Sequence, residues 1–273
     1  MTKRVRALAA AAAAAAASKA TKATVKKKPK VKAKPHSLQP SLDSNNLVDP
    51  WYTIFTKSDP AYDQYMKTEW GFEKRGDTAL FEKISLEGAQ SGLSWLTILR
   101  KRDAYRRTFH NFDIDRVAQM TDKDIQRILD TTTEDPRDMV VRHRGKIQAT
   151  IHNAKCLQQM YQERKKDKQQ HQQTEHGIFD AFLWSFVNDQ PILNTVWKNG
   201  QSLSVACTTC PESHAMSTAL KQLGFKFVGP TTCYALMQSV GMVLDHPVGS
   251  PEWKQAKKRL EKRPGGYQMQ QGG

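Results

Sequence analysis

The sequence predicts an all-α fold, on three observations. Apolar residues recur at helical spacing over most of the chain. Strand-like alternation is scarce. Gly, Pro, Ser and Asp fall between the periodic stretches, where they read as helix stops and starts.

The elements follow in order. Ser58 is placed to cap a first helix, with Asp59 and Pro60 in its first turn. On that helix Tyr62, Tyr65 and Glu69 share a face; Trp51 and Phe55, upstream of it, read as ordinary aromatic core. Asp77 is predicted to cap a second helix, on which Leu80, Ile84, Glu87 and Ser91 share a face. Leu80 and Ile84 make that face apolar, so the Glu87 carboxylate points inward. A buried ionised acid costs about several kcal/mol unless it is paired or hydrogen-bonded. On spacing alone two readings stay open: a core helix whose acid caps a neighbouring loop, favoured on frequency, and a pocket that uses the acid. Gly88 and Gly92 remove side chains beside Glu87 and allow a close approach to the backbone. Ser91-Gly92 reads as the helix stop and Ser94 as the next N-cap. Leu93 lies between them at a tight turn, poorly placed for a core.

Ser94 is predicted to open a third helix with the apolar stripe Trp95, Ile98, Leu99, Tyr105 and Phe109, opposite Arg100, Lys101, Arg102, Arg106 and Arg107. Shorter helical pieces follow over residues 114–120 and 122–129. Arg142-His143-Arg144-Gly145-Lys146 then begins a helix continuing through Ile147, Ile151 and Ala154. Positive charge at a helix N-terminus opposes the dipole, so an anionic partner is expected there, with Glu69 or Glu87 as candidates. Residues 162–176 read as a polar surface insertion, residues 178–187 as core helix and residues 188–209 as loop. Pro211 and Glu212 open a helix that Gly224 ends. Five residues later Gly229 and Pro230 start another, carrying Tyr234, Met237 and Val240. A helix, a short glycine-bounded loop and a helix can present backbone N–H groups to a phosphate at a helix N-terminus.

Charge is unevenly distributed. Residues 1–42 hold eleven Lys or Arg and no acid, leaving 31 of the 42 basic residues to face all 27 acidic ones. Most of the formal +15 therefore belongs to the tail, a low-complexity Ala- and Lys-rich segment that cannot bury enough surface to offset its ordering entropy and is predicted to be disordered. Its Lys26-Lys27-Lys28-Pro29-Lys30 run suits nuclear import or retention on DNA; an organelle transit peptide and a merely solubilising tail are the alternatives. Few cysteines and no evident secretory leader argue for a reducing compartment, and no stretch reaches the length of a membrane span. Cys207 and Cys210, followed by His214, have metal-like spacing but no evident fourth ligand, and read as free thiols.

Several motifs in one order carry a resemblance. They are Asp59-Pro60 with Tyr62, Tyr65 and Glu69-Trp70-Gly71; Leu86-Glu87-Gly88-Ala89-Gln90 with Gly92-Leu93-Ser94-Trp95; Arg142-His143-Arg144-Gly145-Lys146-Ile147; Trp184-Ser185-Phe186-Val187; and Gly224-Phe225-Lys226-Phe227-Val228-Gly229 with Asp245-His246. Together they resemble the DNA-3-methyladenine glycosylase I family of helix-hairpin-helix glycosylases, from about residue 51 to residue 249. The resemblance implies a helix-hairpin-helix glycosylase domain, placed at 46–255 between a basic tail at 1–45 and a basic, Gln/Gly-rich tail at 256–273. It implies hydrolysis of the N-glycosidic bond of 3-methyladenine in double-stranded DNA by a monomer, with no cofactor and no membrane. By the same resemblance Glu87 is the catalytic residue that recognises the base; Tyr62, Tyr65, Trp70 and Trp95 line the pocket; and Leu93 helps fill the duplex. Gly224, Lys226, Gly229 and Thr231 bind the DNA backbone. Asp245 is a minor candidate for orienting water, otherwise a cap or salt bridge. Thr231 stands where bifunctional relatives carry a lysine nucleophile, which implies a monofunctional enzyme. A relative that keeps the fold and the pocket without the activity is the competing reading.

The chain departs from the family at its zinc site. The positions of the two Cys and two His fall near Thr53 and on Met66, His246 and Ser250, so only His246 remains as a ligand. No zinc is therefore expected, with packing by Phe55, Met66 and Val248 replacing the tie between the terminal segments.

Overall fold

The computed structural model describes residues 59–166, 175–195 and 208–263. The readings on the basic tail, Trp51, Thr53, Phe55 and Cys207 lie outside the described residues. The helices are α1 (Pro60–Thr68), α2 (Asp77–Gln90), α3 (Trp95–Leu99), α4 (Arg102–Thr108), α5 (Ile114–Ala118), α6 (Asp122–Asp130), α7 (Arg144–Lys166), α8 (Ile178–Trp184), α9 (Pro211–Gln222), α10 (Pro230–Ser239) and α11 (Pro251–Glu261).

The second helix lies at the centre. Leu80, Phe81 and Leu86 on α2 are wholly buried, and the helix packs against α3, α7, α8 and α10. The surrounding core includes Phe109, Phe112, Leu157, Phe179, Phe182, Trp184 and Met237. Its start differs from the expectation. Gly76 is the N-cap and Asp77 the first helical residue. The Asp77 carboxylate accepts from the Ile178 and Asp180 N–H groups (3.1 and 2.8 Å) and from the Tyr161 hydroxyl (2.6 Å). Asp77 thus caps α8, and Asp180 answers by accepting from the Gly76 N–H at 2.8 Å. Each helix start is satisfied by an acid from the other.

Other expectations need adjustment. Asp59, not Ser58, caps α1, accepting from the Ala61 and Tyr62 N–H groups at 2.8 and 3.3 Å. Ser94 does cap α3 by accepting from the Thr97 N–H, but the predicted third helix breaks at residues 100–101 into α3 and α4. Its cationic face is occupied internally: Arg100 pairs with Asp59, Arg102 with Glu69, Arg106 with Glu82 and Arg107 with Asp138. The loop expected over 188–209 contains a strand, β1 (Ile192–Leu193), which pairs in parallel with β2 (Val243–Leu244). Two-residue strands are too short for alternation to reveal. The domain boundary expected at 255 falls inside α11, whose Ala256 and Leu260 are buried.

The terminal segments meet through charge. Arg263 binds Glu73 (3.0 and 3.1 Å), Arg75 binds Glu73 (2.8 Å) and Asp180 (3.0 Å), and both guanidiniums lie over the Trp184 ring. Arg259 lies 4.3 Å over Phe72. Burial pushes the Glu73 carboxyl up, but Arg263 and Arg75 hold it below the usual range. This ionic seam joins the N- and C-terminal sides, beside backbone hydrogen bonds from Gly71 to Gln238 and from Lys74 to Val240; of the packing expected there from Phe55, Met66 and Val248, Phe55 lies outside the described residues. Met66 packs instead into a separate cluster with Tyr62, Tyr65, Trp70 and Leu99.

Candidate active site

Glu87 is buried, as its helical face requires, with 5% of its surface exposed. Burial raises its carboxyl well above the ordinary range; the charge of Lys83 and the nearby Ser239 hydroxyl pull it back only in part. No arginine is among the groups that shift it. The expected pairing of Glu69 or Glu87 with the 142–146 cations is not formed. Glu69 binds Arg102 at 2.6 and 2.7 Å, and Arg144 binds the Gln126 side chain.

The aromatic residues named from sequence converge beside this helix. Tyr65 is almost wholly buried and lies 5.4 Å from Trp95 at an interplanar angle of 43°, with Tyr62 edge-on at 6.4 Å. Burial, and then the Glu87 charge, raises the Tyr62 phenol to about 12 and the Tyr65 phenol well above its usual value, so both remain neutral hydroxyls. The Trp95 indole N–H is buried with no acceptor among the described residues. Trp70 joins the same cluster but sets its ring edge against His246 at 5.1 Å. The structure also brings in Lys83, which the sequence reading passed over. Its ammonium is buried 4.8 Å above the Tyr65 ring, 5.7 Å from Trp95 and 3.4 Å from the Tyr65 hydroxyl. A signal existed: Lys83 precedes Glu87 by four residues, on the same helical face.

Leu93 projects beyond the end of α2. Among the described residues Leu93 and Phe227 are the two large apolar side chains left exposed, each at 36%. The turn carrying Leu93 is held by Lys146, which donates to the Ala89 and Ser91 carbonyls at 2.8 and 2.7 Å. This explains one of the cations at the start of α7: Lys146 serves the carbonyl end of α2, where positive charge is favourable.

The hairpin between α9 and α10 abuts the same end of α2. A side chain at Gly88 would meet the Phe227 Cβ at 3.2 Å, so this glycine is what admits the loop. Gly224 has φ +93° and ends α9; Phe227, at the tip, also has positive φ. Gly229 takes an ordinary extended conformation and caps α10, with open space beside it. Of the two glycines it is therefore Gly224 that needs left-handed freedom, while Gly229 leaves the α10 N-terminus uncovered. Lys226 and Thr231 are exposed there. From α7, Asn153 latches the loop twice: its amide donates to the Lys226 carbonyl (3.1 Å) and accepts from the Lys226 N–H (2.8 Å). Asn153→Ala is expected to weaken binding to any duplex, damaged or intact, by about tenfold, with a stability loss of about 1–2 kcal/mol. Fluorescence anisotropy and thermal melting check this. Unchanged affinity for intact duplex would show that the loop does not hold the backbone.

Two further residues take structural places. The Asp245 carboxylate is buried and accepts from the Tyr234 hydroxyl (2.9 Å) and the Gln238 amide (2.8 Å), which favours its structural reading. Cys210 caps α9, its sulfur accepting from the Ser213 N–H at 3.4 Å, and burial pushes its thiol up to about 12. At the family's zinc positions Met66 is in the aromatic cluster, Ser250 caps α11 by accepting from the Trp253 N–H, and His246 is buried against Trp70. This donor set does not fit a tetrahedral zinc ion. Among the described residues no group of three or more His, Cys, Asp or Glu could hold a metal, and no helix is long and apolar enough to cross a membrane.

Comparison with known proteins agrees with this geometry. The methyladenine glycosylase family model matches residues 55–253. The DNA-3-methyladenine glycosylase 1 of Escherichia coli (strain K12) is 43% identical over 195 residues, covering 71% of this chain and 92% of that protein. The DNA-3-methyladenine glycosylase of Haemophilus influenzae is 42% identical over 185 residues, covering 68% and 88%. A solved structure of Staphylococcus aureus 3-methyladenine DNA glycosylase I, described as showing the basis of 3-methyladenine recognition, superposes with a TM-score of 0.60. It has 33% identity and covers 72% of this chain and 94% of that one. On the family model and these relatives, with a buried acid near the aromatic cluster and a glycine-bounded hairpin at the end of the same helix, this chain belongs to the methyladenine glycosylase family.

Proposed function

We infer that this protein excises 3-methyladenine from alkylated DNA by hydrolysing the N-glycosidic bond. The observation that carries the reading is the buried Glu87 carboxylate, whose charge acts on the Tyr62 and Tyr65 hydroxyls, with the Trp95 ring against Tyr65. Methylation at N3 makes the adenine cationic in DNA, so it leaves readily without a strong general acid. The requirement on the protein is to take the nucleotide out of the stack and hold it. The aromatic faces attract a cationic ring by about 0.5–2 kcal/mol each. Glu87 accepts hydrogen bonds from the base, and a cation arriving beside it favours the ionised carboxylate that burial otherwise disfavours. The unpartnered Trp95 N–H supplies a donor, and Tyr62 and Trp70 complete the walls. Intact adenine, being neutral, gains less from the same groups.

The DNA partner is double-stranded. Leu93 fills the space left by the extruded nucleotide, while the Gly224–Gly229 loop with Lys226 and Thr231 holds the backbone. The protein acts as a monomer, and the basic tail serves nuclear import or DNA retention. Thr231 offers no amine, so the product is an abasic site in an uncut strand. The test is incubation with methylated duplex, chromatographic measurement of released base and treatment with borohydride. Free 3-methyladenine without a trapped protein–DNA adduct is expected. Binding without release would favour the inactive lesion-sensing reading, and an adduct would overturn the monofunctional assignment.

A further inference from the structure

We propose that Lys83 is a catalytic residue of this pocket, whose ammonium drives positive charge out of the lesion base as the glycosidic bond breaks. The inference rests on the reading of the Glu87 pocket as the base site.

Lys83 is an unusual occupant. A lysine one helical turn from an exposed acid is an ordinary surface pair, but this one is 3% exposed. Its ammonium faces the Tyr65 ring at 4.8 Å and the Trp95 ring at 5.7 Å, the two surfaces that attract a cationic purine. The charged groups that act on it are Glu87 from its own helix, Glu69 from the end of α1, Lys74 from the loop before α2 and Arg102 from α4; the Tyr65 hydroxyl touches it at 3.4 Å. Burial lowers its affinity for a proton, and the two carboxylates oppose that shift. A positive group in the base site works against holding a cation, so its presence needs an explanation in the step that follows binding.

That step moves charge. In the flipped nucleotide the positive charge resides on the methylated base. When the N9–C1′ bond breaks, its electron pair goes to the base, which becomes neutral, and C1′ becomes a positively charged oxocarbenium centre. Water adds to C1′ and releases its proton to solvent, giving neutral 3-methyladenine and an abasic deoxyribose. An ammonium beside the base raises the energy of the bound cation and ceases to do so as the base becomes neutral. It therefore lowers the barrier from the bound state. Glu87 has the complementary part: it draws the cation in, while Lys83 hastens the loss of its charge.

The test is the steady-state and single-turnover kinetics of base release from methylated duplex by the wild-type protein, Lys83→Met and Lys83→Gln. Both variants remove the charge, one keeping an apolar stem and one a hydrogen-bonding end. The expected result is a rate of the chemical step about tenfold lower in both, together with a KM several-fold lower, the signature of relieved ground-state strain. Damaged packing also slows the step but moves KM the other way, raising it. An unchanged or faster step in both variants overturns the proposal, as does a slower step with a raised KM. Absence of release by the wild-type protein would instead overturn the pocket reading itself.

Discussion

Glu87→Gln is expected to lower the rate of 3-methyladenine release by about 100- to 1,000-fold, the range seen when one preorganised polar contact to a reacting group is lost. Glutamine matches the shape of glutamate and can still accept one hydrogen bond, but it carries no negative charge. What is lost is the attraction for a cationic ring in a site that burial has largely removed from water, where charge counts for most. The fold is expected to survive. Burial pushes this carboxyl well up towards its neutral form, so an amide in its place relieves a desolvation cost that offsets the lost attraction to Lys83, and the Tm should stay level. Single-turnover release and a thermal melt on the same preparation check both halves. A variant that retains most of the rate would show that base recognition lies elsewhere.

Asp77→Ala is expected to have the largest effect on stability. One carboxylate accepts from two backbone N–H groups at the start of α8 and from the Tyr161 hydroxyl. Alanine leaves these donors partly buried and unpaired. The expected cost is about 3 kcal/mol, a fall in Tm of roughly 6–12 °C for a domain of this size. Gly177→Ala should act through the same contact. Its Cβ would lie 2.1 Å from the Asp77 carboxylate oxygen, and its φ of +117° suits glycine alone. Calorimetric unfolding of the two variants and of their combination checks the linkage. Costs that add fully in the combination would show that the two residues do not share one contact.

Much of the site was legible because its residues share local periodicity. Glu87 falls on the buried face that Leu80 and Ile84 define, Leu93 sits at a turn that glycine and serine mark, and two glycines bound the hairpin. Each of these signals spans a few residues. The mistaken or missing parts involve partners far apart in the chain. Asp77 reads as the cap of the helix it begins; that it caps one starting about a hundred residues later is set by tertiary packing. Lys146 reads as an adverse charge at a helix start until its contact with the end of α2 is known. Lys83 was overlooked for a different reason. Lysine on a helix is nearly always solvated, so its place four residues before Glu87 on the buried face is outweighed, and its contact with the distant Tyr65 ring has no local signal.

The guanidinium–carboxylate seam between residues 73–75 and 259–263 also changes what the molecule answers to. A fold fastened by metal and thiolate loosens in the presence of chelators or oxidants. One fastened by Arg263, Glu73 and Arg75 is indifferent to those reagents at that place and instead feels ionic strength, since its outer partners remain partly open to water. DNA affinity weakens with rising salt for its own reason, the release of counterions. The grip on the substrate and the closure of the protein's own ends therefore slacken in the same direction, so brine tests both at once.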